Sequence, residues 1–190
     1  MKLQNKHALF FILILLLVIG ILGAVYFFFF IHKKVNHKKS SGYLTILDFD
    51  GDRKTDIAVY RSNNGGWYIN PSSGAADYIV GWGGTGYTPV PGDYDGDGKT
   101  DIAVYRESTG AWYVMPSSGG PPYSKGLGGD PSDKPVPGDY DGDGKTDIAV
   151  YRGSTGAWYV MPSSGGAPYS KGWGGDPLDV AVTTNLTSNY

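Results

Sequence analysis

The chain has 190 residues, a formal net charge of −2, 41% apolar and 18% charged residues, and no cysteine. Without cysteine there are no disulfides and no thiolate metal sites. Its histidines are His7, His32 and His37, so beyond residue 40 no imidazole exists, and Ser–His–Asp or Cys–His catalysis is excluded there.

Composition changes sharply near residue 40. After a short flank, residues 1–7, the stretch 8–31 runs for 24 residues without a charge. That length reads as one tilted membrane-spanning helix. The competing reading is a cleaved signal peptide, whose apolar region spans about 7–15 residues before a small-x-small cut site. A cut after Ala24 would leave Phe27–Phe30 on the new terminus, so the preferred reading is an uncleaved signal anchor. Orientation stays open: Lys2 and Lys6 precede the span, while Lys33, Lys34, Lys38 and Lys39 follow it. Residues 32–42 form a basic juxtamembrane linker, in which His32 and His37 read as interfacial residues beside lysines rather than as metal ligands.

All 18 acidic residues follow residue 40, against ten of the 16 basic ones, so this part carries −8. Such an acidic region is a poor nucleic-acid binder. The carboxylates are concentrated in three loops. Asp93, Asp95, Asp97 and Asp101 occupy positions 1, 3, 5 and 9 of one. Asp139, Asp141, Asp143 and Asp147 repeat the pattern, and Asp48, Asp50, Asp52 and Asp56 give a degraded first copy. Four carboxylates within nine residues repel one another unless a hard cation sits among them. Calcium, with six to eight oxygen ligands in a tolerant geometry, is the natural occupant. Position 7 (Lys54, Lys99, Lys145) can add a backbone carbonyl. An EF-hand would need an acid at position 12, where Val59, Val104 and Val150 stand instead. Three ions would also bring the region's charge to about −2 and relieve its self-repulsion.

The loops recur at periods of 45 and 46 residues. Between 93–133 and 139–179 only Glu107/Gly153, Pro121/Ala167, Leu127/Trp173 and Ser132/Leu178 differ. A period of 40–50 residues with several short strands per unit signals a β array such as a propeller. The units are residues 43–87, 88–133 and 134–179, with 180–190 as a closing strand or tail. In the second unit, strands are expected at Thr88–Pro91, Ile102–Arg106, Ala111–Met115 and Tyr123–Leu127. The fold class is therefore all-β, three propeller-blade-like repeats preceded by one apolar α-helix.

The core Asp-[Phe/Tyr]-Asp-Gly-Asp-Gly-x-x-Asp followed by three hydrophobic residues resembles the FG-GAP/VCBS repeat family, found in integrin alpha-chain propellers and bacterial surface proteins. The resemblance covers about residues 43–182. It implies side-chain ligands at positions 1, 3, 5 and 9 of each loop, and a role in adhesion or protein–protein contact. Arg53 departs from the pattern, standing where Gly98 and Gly144 stand. If that position needs a positive φ, the first site is strained.

Recurring aromatics have two readings. Trp67, Trp112 and Trp158 open the third strand of each unit, while Trp82 and Trp173 close the fourth in two. They read first as filling between units and only second as a sugar platform. Arg61, Arg106 and Arg152 read as braces for strands or partners of loop carboxylates. Beyond the loops, Asp77 and Glu107 form no pair of the kind a glycosidase needs. The expected protein is a membrane-anchored, extracytoplasmic, non-catalytic module holding about three Ca2+ ions. It would act in adhesion, self-association or contact with a protein or glycan at the cell surface. The alternative is a subunit of a filament or pilus, with the apolar helix in the fibre core.

Overall fold

The computed structural model describes residues 47–183, which belong to one unit of the chain spanning 43–190. The apolar stretch 8–31 and the first-unit residues 43–46 lie outside them. Among the described residues no helix is long and apolar enough to cross a membrane.

The described part is all-β, with eleven strands in three antiparallel sheets. The first sheet holds β1 (Ile57–Arg61), β2 (Gly66–Asn70) and β3 (Tyr78–Gly81). The second holds β4 (Tyr87–Pro89), β5 (Ile102–Arg106), β6 (Ala111–Met115) and β7 (Tyr123–Gly126). The third repeats it as β8 (Asp133–Pro135), β9 (Ile148–Arg152), β10 (Ala157–Met161) and β11 (Tyr169–Gly172). Each sheet is a meander with its strands in chain order.

The two inner strands of the second unit have the bounds that alternation predicts. The outer two are shorter than expected, and at β4 the reason is chemical. Val90 still donates to Ala103 O at 2.8 Å, but Pro91 has no N–H to give, so the ladder lapses. It returns as an isolated Gly92–Asp101 bridge, and the third unit repeats this at Gly138–Asp147.

Alternation along Ile-Ala-Val-Tyr-Arg sends Ile and Val to one face and Ala and Tyr to the other. The core sits between successive sheets. Ile102 and Val104 of β5 pack with Phe49, Trp67 and Ile69 of the first unit. Ile148 and Val150 of β9 pack with Tyr94, Tyr105, Trp112 and Val114 of the second. Each unit thus offers an Ile/Val face backward and a Trp/Tyr/Val face forward. Trp67 and Trp112 are buried as interface filling, whereas Trp173 is 77% exposed. The arginines stack on tyrosines: Arg61 over Tyr68, Arg106 over Tyr87 and Arg152 over Tyr159. Arg152 also pairs bidentately with Asp133, at 2.9 and 3.1 Å, and this aspartate is not a loop residue.

Candidate metal centres

Each acidic loop joins the edge strand, or its place, to the Ile-Ala-Val-Tyr-Arg strand. It wraps around its own backbone. Asp93 Oδ1 accepts from Gly96 N and Oδ2 from Gly98 N, at 2.6 and 2.9 Å. Asp95 Oδ1 accepts from Asp97 N. The buried Asp101 accepts from Tyr94 N at 2.8 Å and Asp95 N at 3.2 Å. The same bonds recur from Asp48, Asp50 and Asp56, and again, save the one to the residue at position 3, from Asp139, Asp141 and Asp147.

This wrap gathers positions 1, 3 and 9. In each of the triads Asp48/Asp50/Asp56, Asp93/Asp95/Asp101 and Asp139/Asp141/Asp147, three carboxylate oxygens lie within 4.8 Å of one another. Oxygens bound to one calcium at about 2.4 Å can be no further apart than about 4.8 Å, so the donor set and its size suit that ion. Position 5 is placed differently. Asp97 accepts from Lys99 N at 2.8 Å and from Ser117 Oγ at 2.9 Å, outside the triad. Asp52 and Asp143 do the same with Ser72 and Ser163.

These serines are what the sequence reading missed. The turn between the last two strands of each sheet carries Pro-Ser-Ser, at 71–73, 116–118 and 162–164. The first serine's N–H donates to the ninth-position aspartate at 2.7 Å in all three units. The second reaches position 3, as Ser164 Oγ does to Asp141 at 2.6 Å. The recurrence of Pro-Ser-Ser was the available signal.

Electrostatics differ among the sites. Burial pushes the Asp93 and Asp101 carboxyls above the ordinary range, against the backbone N–H groups that hold them down. Their stabilising contribution is present at low pH and lost as pH rises through the raised values. Hydrogen bonds from Ser73 and Ser164 instead hold Asp50 and Asp141 low, which contributes stability that disappears on acidification.

The loops also stack. Thr100, at position 8, donates its N–H to Asp48 O at 2.7 Å, and its Oγ1 accepts from Asp48 N at 2.8 Å. Thr146 N donates likewise to Asp93 O. Lys99 lies over Gly51 and Lys145 over Gly96. Burial at position 1 follows this cover: Asp48 is buried, Asp93 half-buried and Asp139 exposed.

Arg53 is the one non-glycine with positive φ among the described residues, at 68°, where Gly98 and Gly144 sit at 88°. The sixth loop position therefore does need the left-handed region, at a cost of about 1 kcal/mol for a side-chain residue. Arg53→Gly should raise stability by up to about that amount in urea denaturation, less the entropy that glycine adds to the unfolded chain.

An FG-GAP-like repeat model matches residues 48–104, and an FG-GAP repeat model matches residues 134–161. Those two stretches are similar to FG-GAP repeats. No curated protein and no solved structure matches it. The first match opens on the first acidic loop and runs through the second into β5, and the second spans the third loop, so the matched segments contain all three triads whole.

Proposed function

We propose that this is a membrane-anchored, extracytoplasmic, non-catalytic β-repeat protein whose FG-GAP loops each hold a calcium ion. It acts in adhesion, protein–protein or glycan contact, or surface assembly. The observation that carries the metal half is the threefold recurrence of an all-oxygen triad of matching size. The FG-GAP repeats support the interaction half. The anchor rests on the uncharged stretch 8–31.

In this reading the position 1, 3 and 9 aspartates bind the ion, and the position 5 aspartate and the paired serines fix the loop around it. The ion supplies charge neutralisation and ties each loop to the strand that follows. Calcium binding is then folding energy. An affinity of about 10⁻⁴–10⁻³ M, usual for extracellular modules, suits such a role. Calorimetric titration of the full chain with calcium tests it, with about three ions per chain expected. A filament subunit with the apolar segment in a fibre core is the second reading, favoured by the uncovered faces described next.

A further inference from the structure

The interface between successive units occurs twice inside the chain, and among the described residues its backward half is left open on the first unit and its forward half partly open on the third. Ile102, Val104, Ile148 and Val150 are 7%, 1%, 6% and 0% exposed, because each pair packs on the preceding unit. Ile57 and Val59, in an identical Ile-Ala-Val-Tyr-Arg strand, are 72% and 58% exposed. Register places Tyr68 beside Val59 and Ile79 beside Tyr68, so Ile79 extends the same apolar row, and it too is exposed.

The forward face of the third unit is the other half. Tyr140, Trp158 and Val160 correspond to Tyr94, Trp112 and Val114, and they line a concavity of roughly 600 Å³. The tail reaches part of this face: Ala181 packs against the cluster that holds Val160, which is 2% exposed, and Val182 and Thr183 line the concavity, while Tyr140 stays 37% exposed and Trp158 part-exposed. Trp173 at its rim corresponds to Trp82, whose indole donates to Tyr113 O of the following unit.

The loop contacts are unfilled in the same way. In the second unit, the space where Gly92 would carry a Cβ is taken by Thr146, whose Cβ is 3.1 Å away. Among the described residues the nearest atoms to the matching space at Gly138 are those of the Tyr140 side chain, and nothing lies within 4 Å of that at Gly142. Thr55 and Lys54, which would fill these places by repeat position, are exposed on the first unit.

We propose that the forward face of the third unit docks the backward face of the first unit in a second copy of this chain. The contact would reproduce the internal interface: Ile57 and Val59 against Tyr140 and Trp158, Thr55 in the Gly138 slot, and Lys54 over Gly142. The two surfaces differ, so the association is head-to-tail and builds a closed ring or an open filament rather than a two-fold dimer. It names the partner in the interaction reading above and rests on it, yet requires no calcium.

The cysteine-free chain allows a direct test. Full chains carrying only Thr55→Cys or only Gly138→Cys are mixed in detergent at tens of micromolar and oxidised. Disulfides form where Cβ atoms approach to about 3.5–4.5 Å, close to the internal Gly92–Thr146 spacing. The mixture should give a cross-linked dimer, while neither variant alone should. Adding Ile57→Asp to the Thr55→Cys chain should cut the product at least about tenfold, since it buries a charge in the apolar contact. No dimer in the mixture, or equal dimer from one variant alone, overturns the pairing. If that happens while calcium still binds, the metal reading stands and the partner is another molecule.

Discussion

Asp101→Ala should destabilise the calcium-free domain by about 3 kcal/mol, read as a lower urea midpoint at unchanged slope. Asp101 is fully buried and accepts the N–H groups of Tyr94, Asp95 and Ser117. Alanine leaves these three donors without their acceptor in a place where water replaces it poorly. Asparagine should cost much less in chelator, about 1 kcal/mol, because its amide oxygen keeps part of the acceptor set. It also removes a charge that burial already disfavours at neutral pH. Added calcium should separate the two backgrounds further, since the parent gains binding energy at the second site and Asp101→Asn loses a charged ligand there. If the two variants proved equally mild in chelator, Asp101 would not be organising the loop.

Trp112→Ala should cost about 4 kcal/mol in the same assay. The indole is completely buried, donates to Leu127 O at 3.1 Å, and lies 5.1 Å from the Tyr105 ring. It packs with Ile148 and Val150, so its loss opens a cavity between the second and third sheets and weakens the joint. Trp158→Ala, at the same repeat position, should cost only about 1–2 kcal/mol, since its side chain is part-exposed and less apolar area is lost. Equal losses at the two positions would mean that the indoles stabilise their own sheets rather than the contact between sheets.

Sequence patterning carries the repeat, the acidic loops and the inner strands, because these are local. Period-two alternation over Ile102–Arg106 and Ala111–Met115 leaves little choice of bounds. Arg53 was legible for a similar reason: its two counterparts are glycines, and a positive φ is the simplest cause. Other features are not local. Ser117 N meets Asp101 across 16 residues and Ser118 N meets Asp95 across 23, through a hairpin whose closing geometry the sequence does not print. The serines also draw the position 5 aspartates aside, which a count of carboxylates in a loop cannot reveal. Burial is the clearest case. Ile57 and Ile102 sit in the same pentapeptide, yet one is exposed and the other buried, because Ile102 packs on Phe49, Trp67 and Ile69 of the unit before it.

The central claim is that the three triads are calcium sites whose occupancy holds the loops, and calorimetric titration of the full chain in detergent tests it most directly. About three ions per chain should bind, and Asp56→Asn, Asp101→Asn and Asp147→Asn should each weaken or remove one. No heat and no binding at millimolar calcium would contradict the account, leaving acidic turns held by their own backbone amides and serines.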